Sequence, residues 1–422
     1  MRHTLIIATL TLSCLSELPA QTSLHDYRQE VITYSHELKL SELATEAADA
    51  DMRRATKGHL PSLGLASDIA LDFSDTSPSR PWSWLVNVAL KQTIYQGGGV
   101  RATVKRRSAL HAKSEMDEQI ALLDAIYSAD IAYWQLSRSK SYLETIREYV
   151  AVVDSLRGIV KRRFDEGYSA KGDLLQIESR ISDARYQLSS ATQSYLIALH
   201  NYNSLRGAEI DNCVELMESI FSIRDMPSRI SAAEVVEHHP RYQSMLFGVE
   251  GARWGIKTSE AEFLPSLHLS IYGSAEPQTP HIKGGGSRVN GGAVLSLSVP
   301  IFHFGERREA TRAAEAKYLQ ELTLTESVKD DITLIEGDAW QNIYNSRQRV
   351  DVARQSLDIA QENLEMSIYS YGEGVATILD VLQAQLSWLQ ISQNAIAAYY
   401  DYAIAIASYE YVTGATLKEI TE

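Results

Sequence analysis

Cysteine is nearly absent, with 2 in 422 residues. Cys14 falls in an expected leader, so Cys213 alone remains after export and no internal disulfide can form. An exported chain of this kind must be held by packing. There is also no apolar run of the roughly 18–20 residues that a membrane-spanning helix needs. Positive charge is not in excess: the formal charge is −14 and the pI is near 5.3, which argues against nucleic acid as a partner. No nucleophile–base pair, metal cluster or cofactor signature is present, so neither an enzyme nor a cofactor is expected. What is left is an acidic, helix-rich chain. β-Strands in lipid stay compatible with it, because their hydropathy trace is only a weak alternation.

Residues 1–20 read as a secretory signal. Arg2 and His3 form a short polar start, Leu5 to Leu12 is apolar or hydroxylated, and Leu18-Pro19-Ala20 offers cleavage before Gln21. Cys14, after Leu12-Ser13, makes lipoprotein processing the alternative.

An internal repeat organises the rest. Leu60-Pro61-Ser62-Leu63 recurs as Leu264-Pro265-Ser266-Leu267, a shift of about 204 positions, and His36-Glu37-Leu38 falls opposite Pro240-Arg241-Tyr242. Beyond that the shift is about 207. Ile94-Tyr95-Gln96-Gly97-Gly98 then faces Ile301-Phe302-His303-Phe304-Gly305, and Glu166-Gly167 faces Glu373-Gly374. Asp173-Leu174-Leu175-Gln176 faces Asp380-Val381-Leu382-Gln383, and Gly207 faces Gly414. One change of register is what a single loop insertion produces. The expected units are 21–208 and 231–415, with an inter-repeat segment 209–230 and a short tail 416–422.

Each unit has the same order of elements. A helical run over 24–59 stops at Pro61, and period-two alternation follows over 62–73 and 82–95. Leu63, Leu65, Ile69 and Leu71 oppose Ser62, Gly64 and Asp68; Trp82, Trp84, Val86, Val88 and Leu90 oppose Ser83, Asn87 and Lys91. The second unit repeats this over 265–275 and 291–302, where Leu267, Leu269 and Ile271 oppose His268 and Ser270, and Leu295, Leu297 and Val299 oppose Ser296 and Ser298. A turn-rich loop, Ser74 to Pro81, joins the first pair, and a glycine-rich one with Gly284-Gly285-Gly286 joins the second. From Gly99 to Phe164 there is no proline, and only Gly158 interrupts the helical pattern. Leu143, Ile146, Val150, Val153, Leu156 and Val160 step by three or four, the seam of a coiled coil. Such a helix is about 100 Å long. Gly305 to Tyr371 does the same, and shorter helices over Ala170 to Leu205 and Thr377 to Val412 follow sharp turns.

Two hairpins supply four strands, which cannot close a barrel, and an open edge is not tolerated in lipid. If the strands span a membrane, copies must associate; a dimer of eight strands and a trimer of twelve both satisfy the count. The doubled order of helix, hairpin, long helix, turn and helix resembles the TolC-type outer-membrane efflux proteins. The matching motifs are the two Leu-Pro-Ser-Leu runs, Gly98 and Gly305, the turns at 166–175 and 373–382, and Gly207 and Gly414. The resemblance implies a mainly α fold with a transmembrane β portion: a homotrimer whose twelve-stranded barrel stands over an α-helical barrel. It further implies an outer-membrane location with a long periplasmic portion, passive export in a tripartite efflux or type I secretion system, and a periplasmic adaptor and an inner-membrane pump as partners. Any belt around the tunnel's middle would rest mainly on the inter-repeat segment. The rival reading is a structural coiled-coil envelope protein or an adaptor, which lacks paired amphipathic strands before each long helix.

The resemblance also assigns sites. The strands' own alternation adds that Leu65, Ile69, Val86, Val88, Leu269 and Leu297, which occupy the apolar phase, would face lipid. Asp173, Gln176, Asp380 and Gln383 would lie at the periplasmic tip, and Glu166, Gly167, Tyr168, Glu373, Gly374 and Val375 would form turns contacting the adaptor. Thr377 and Asp380 have the spacing of a capping box, and capping alone and capping with a pore role both stand for Asp173 and Asp380. In the first unit Ala170 replaces the hydroxyl, predicting a weaker cap for Asp173. Arg163 lies in the same turn region and could hold the tip closed. Gly97-Gly98-Gly99 with Arg101, Lys105, Arg106 and Arg107 lacks Gly-Lys-Ser/Thr and reads as a strand-to-helix turn, not a phosphate cradle. Basic residues recur at Arg307, Arg308 and Arg312, where lipid phosphate and plain solvation are the two readings. His238-His239-Pro240 reads as a helix start, and the tyrosines at 399, 400, 402, 409 and 411 as interhelical packing.

Overall fold

The computed structural model describes residues 21–71, 82–277 and 287–417. The leader with its cleavage point and Cys14, both hairpin loops, residues 72–73 and the end of the tail lie outside the described residues, as do the side chains of Trp82, Ser83 and Pro277.

The elements in chain order are β1 (Gln21–Thr22), α1 (Leu24–Tyr34), α2 (His36–Thr56), a 3-10 turn at Lys57–His59, β2 (Ser62–Leu71), β3 (Trp82–Gln96), α3 (Gly99–Asp165) and α4 (Lys171–Leu205). They continue as β4 (Glu215–Leu216), α5 (Ala232–His238), α6 (Pro240–Ala261), β5 (Ser266–Pro277), β6 (Ser287–Ser298), α7 (Glu306–Gly372) and α8 (Ile378–Thr413). Helices α3 and α7 have 67 residues each, and no helix among the described residues is long and apolar enough to cross a membrane. Left-handed backbone recurs at matched places: Gly97 and Phe304, Gly98 and Gly305, Gly167 and Gly374, Gly207 and Gly414.

The expected first helix is two helices. The chain breaks at Ser35, whose amide still bonds back to the Val31 carbonyl at 2.8 Å, and α2 starts at once. The break puts the Tyr34 ring against Gly207, where any Cβ would collide with it. The last strand is also displaced from its expected span of 291–302. Strand β5 runs on to Pro277, so its partner starts early, with Ser287 opposite Pro277. Past Ser298 no β5 residue remains to pair with, and Pro300 has no amide hydrogen to donate.

The chain forms two compact units. Of the described residues, one holds 21–36, Leu123–Arg229 and 336–417. Its helices pack around two clusters of buried side chains. The expected seam residues Leu143, Ile146, Val153, Leu156 and Val160 are buried in one, together with Ile177, Ile181, Val381 and Trp388. The other gathers Tyr27, Tyr133, Trp134, Tyr202, Tyr402 and Tyr409, with Tyr27 stacked on Tyr202 at 3.9 Å. Complete burial of one such large apolar side chain contributes about 1.5–3 kcal/mol.

Residues 206–231 are strapped onto this second cluster. β4 pairs in parallel with β1, Ile220 is buried, Phe221 meets Tyr399 edge-on at 5.2 Å, and the Tyr402 hydroxyl donates to the Arg224 carbonyl at 2.9 Å. A buried ionic network ties the strap to the helices. Arg28 forks onto Asp130 at 2.6 and 2.7 Å and reaches Glu410 at 3.3 Å, while Arg224 donates to Glu410 at 2.7 Å. Burial pushes the Asp130 carboxyl up, and the Arg28 fork opposes that rise. Fork geometry explains why arginine occupies this place.

The other unit holds Glu37–Leu122 and Ile230–Ile335 and contains the sheet. Its order is β2-β3-β5-β6, with every pair antiparallel. Leu65 lies opposite Val88, Ile69 opposite Trp84, Leu90 opposite Ile271, and Leu267 opposite Leu297. Directly opposed residues share a face, so this register gathers the apolar phases of all four strands on one side. Ser62, Asn87, Lys91, Ser270, Ser296 and Ser298 fall on the other side.

Candidate functional site

The two turns joining the long helices to their successors have the same construction. After α3, the Gly167 amide bonds to the Phe164 carbonyl at 3.0 Å and the Tyr168 amide to the Arg163 carbonyl at 2.7 Å. After α7, the Gly374 amide bonds to Tyr371 at 3.1 Å and the Val375 amide to Ser370 at 2.9 Å. Each is a Schellman motif with glycine in the left-handed position, at φ 83° and 78°. The motif turns Glu166, Tyr168, Glu373 and Val375 into solvent, with Tyr168 75% and Val375 85% exposed.

Asp380 closes a complete capping box. The Thr377 amide and hydroxyl donate to its carboxylate at 2.8 and 2.7 Å, and its own amide donates to the Thr377 hydroxyl at 3.4 Å. The Thr377 hydroxyl, and then the amide, hold the Asp380 carboxyl below the usual range. Asp173 has the weaker cap expected of it: Ala170 offers no side-chain acceptor, and the Asp173 amide bonds only to the Ala170 carbonyl at 3.1 Å. The Ser169 hydroxyl donates to its carboxylate at 2.8 Å and the Ala170 amide at 3.4 Å. Serine one residue before the cap adds a hydroxyl donor to the carboxylate without replacing the acceptor that Ala170 lacks, and the adjacent Ser169-Ala170 pair is the signal that reading cap positions alone passes over. Asp380, Gln176 and Gln383 are exposed, and Asp173 is half-buried.

Arg163 joins the two turns. Its Nη1 donates to the Tyr371 carbonyl at 2.8 Å and the Gly372 carbonyl at 3.3 Å, and its guanidinium lies 5.0 Å from the Tyr371 ring centre. A cation on the last carbonyls of α7 is favoured by the helix dipole. The repeat places Ser370 where Arg163 stands, so this bond runs from the first turn to the second only.

On the sheet, Leu65, Ile69, Val88 and Leu297 are exposed in the single chain, and Val86 and Leu269 are half-buried. Elsewhere, His239 is a helix cap: its Nδ1 accepts from the Arg241 amide at 3.1 Å, with Pro240 opening α6. Burial, with Arg241 nearby, lowers its pKa to about 4, which keeps it neutral as the acceptor. Gly97 and Gly98 make the strand-to-helix turn before α3. Tyr399, Tyr402 and Tyr409 pack in the core, Arg138 lies 4.7 Å over the Tyr400 ring, and the Tyr411 hydroxyl donates to Asp124 at 2.7 Å. Among the described residues no group of three His, Cys, Asp or Glu side chains could hold a metal ion.

The model of the family described as outer membrane efflux protein matches residues 27–208 and again 232–415. The chain belongs to that family. Protein CyaE of Bordetella pertussis is 21% identical over 83% of this chain and 75% of its own length. The outer membrane protein TolC of Vibrio cholerae is 24% identical over 85% of this chain and 83% of its own. The crystal structure of the outer membrane protein VceC from Vibrio cholerae has the same fold: TM-score 0.79 at 19% identity, covering 93% of this chain and 96% of that one. This outer membrane efflux protein is therefore an export duct subunit of the bacterial outer membrane, from a family of channels rather than enzymes.

Proposed function

We propose that three copies of this chain close one twelve-stranded barrel over a barrel of their helices, forming a passive duct. The observation that carries the reading is the sheet itself: its apolar residues share one face, and its outer strands β2 and β6 each have one unpaired edge. Unpaired backbone groups cost several kcal/mol each in hydrocarbon, and closure with other copies satisfies them. Three copies follow the family; the edges alone require only that the ring closes. In this reading Leu65, Ile69, Val86, Val88, Leu269 and Leu297 face lipid. A mass measurement in mild detergent should give a trimer, and spin labels at the six positions should report lipid. A monomer only, or water at all six, would defeat the reading.

At the other site, Asp173 and Asp380, with Gln176 and Gln383 one turn further on, line the narrow periplasmic end. The Arg163 bond holds the two turns together there. The exposed Glu166–Tyr168 and Glu373–Val375 turns form the surface for a periplasmic adaptor, through which the duct meets an inner-membrane pump. Symmetry gathers like carboxylates around one axis, which favours cations and pushes the end open. In planar bilayers, Arg163→Ala should raise the fraction of time spent in the open state. An unchanged fraction would remove Arg163 from this role.

A further inference from the structure

The contact between the two repeats inside one chain is a template for the contact between chains. Strand β3 pairs with β5 so that Leu90 lies opposite Ile271, Lys91 opposite Ser270 and Gln92 opposite Leu269. The ladder shifts between Thr93 and Tyr95, leaving Ile94 out, and resumes with Tyr95 opposite Leu267. Just past the strand, Gly97 has φ +55°; a Cβ there would collide with the Leu264 side chain and lie 3.1 Å from the Ala261 carbonyl. The repeat maps β3 onto β6 with a shift of about 207 and β5 onto β2 with one of about 204. Carried over by those shifts, the internal pairing becomes a pairing of β6 with β2 of another copy. It sets Leu297 opposite Ser67, Ser298 opposite Ala66, Val299 opposite Leu65, and Phe302 opposite Leu63.

Three observations support this transfer. The backbone after β6 repeats the one after β3: Phe304 and Gly305 have φ 44° and 89°, against 55° and 80° at Gly97 and Gly98. Phenylalanine holds a left-handed conformation that side chains resist, which follows if the position is built as the counterpart of Gly97. Pro300 and Ile301 fall at the irregularity of the ladder, where a strand tolerates proline. Finally, the surfaces that would meet are apolar and open in the single chain: Ile301 is 92%, Phe302 71% and Phe304 91% exposed, with Leu60 61% and Leu63 73%.

In one respect the copy cannot be faithful. The internal junction has no room for a side chain at Gly97, and Phe304 brings a ring to the same place. We propose that Phe304 is an aromatic spacer seated on Leu60 of a second copy, fixing β6 against β2 in the register above. It makes the junction between chains different from the junction within one. This rests on the reading that copies of the chain close one barrel.

The test uses the full chain in outer membranes with the exposed Cys213 changed to Ser. The pairs Val299→Cys with Leu65→Cys and Ser298→Cys with Ala66→Cys are oxidised; one of two neighbouring pairs is of the closer, non-hydrogen-bonded kind. At least one should give linked oligomers about tenfold above Val299→Cys with Leu63→Cys or with Ser67→Cys, because a two-residue slip moves the partner by about 7 Å, beyond disulfide reach. Preferential linking of a shifted pair, or no linking in an oligomer whose mass is intact, overturns the register and leaves the oligomer standing. A monomeric mass removes both. For the spacer, Phe304→Ala and Leu60→Ala should each lower the temperature at which heat separates the oligomer, and the double variant should lower it by less than their sum. Additive shifts would overturn the contact.

Discussion

The two repeats share their lengths and left-handed positions yet are held in place by different means. In the first, Arg28 forks onto Asp130 within the core, Ser169 and Ala170 donate to the Asp173 carboxylate, and Gly97 admits the Leu264 side chain. At the matched places the second has Gly337 in a helix, Thr377 as a complete cap, and an exposed Phe304. The backbone path is thus common property of the repeat, because it depends on helix length and on residues that accept positive φ. The side-chain devices belong to each repeat's own neighbours.

The largest test of this difference is Asp130→Ala. It leaves the buried Arg28 without its fork partner and should cost about 3–5 kcal/mol in thermal unfolding measured in detergent. Next come Val88→Arg and its counterpart Leu295→Arg. Both lie on the apolar face, so each should cost about 2–4 kcal/mol if that depth is the bilayer midplane. A large inequality between them, measured by refolding into lipid, would break the equivalence of the two hairpins.

A third pair separates backbone from packing. Gly414 has open space around its absent Cβ, so Gly414→Ala should cost only the left-handed backbone, about 1–2 kcal/mol. Gly207→Ala bears the same cost and must also displace the Tyr34 ring, an overpacking cost of about 1–3 kcal/mol more. Equal losses for the two would show that the α1–α2 break does not depend on that contact.

The carboxylates give smaller effects on stability. Asp380→Asn keeps much of the cap and removes charge, so single-channel conductance and cation preference should change while oligomer stability hardly moves. Because its carboxyl is held below the ordinary value, the stability Asp380 contributes is complete above about pH 4 and is lost as pH falls through the folded value. Asp173→Asn should follow the same rule, with a smaller loss of stability because its cap is incomplete. Cation selectivity unchanged in the double variant would leave both as helix caps only. Smallest of all, Gly337→Ala meets nothing within reach and should stabilise α7 by about 0.5–1 kcal/mol, visible as a slightly higher melting temperature.

Much of this was legible before any coordinate. Alternation of period two located the four strands, the three–four spacing located the seam, and the repeated glycines marked where helices stop, because these signals reside in neighbouring residues. The site residues were legible as positions and less so as interactions. Thr377 and Asp380 lie three apart, so their box could be read directly; Ser169 was missed because its hydroxyl reaches Asp173 from one place outside the usual cap.

By itself, the sequence determined the doubled order of elements, the apolar phase of every strand and the membership in an export-duct family. Only the tertiary structure decided which distant partners meet: Arg28 with Asp130 and Glu410, Arg163 with the carbonyls ending α7, β1 with β4, and the end of β6 at Ser298. The physical reason is range. Helix and strand periodicity arise from backbone geometry over a few residues. A buried charge pair or a strand end depends on what the rest of the chain brings alongside, and no local spacing encodes that.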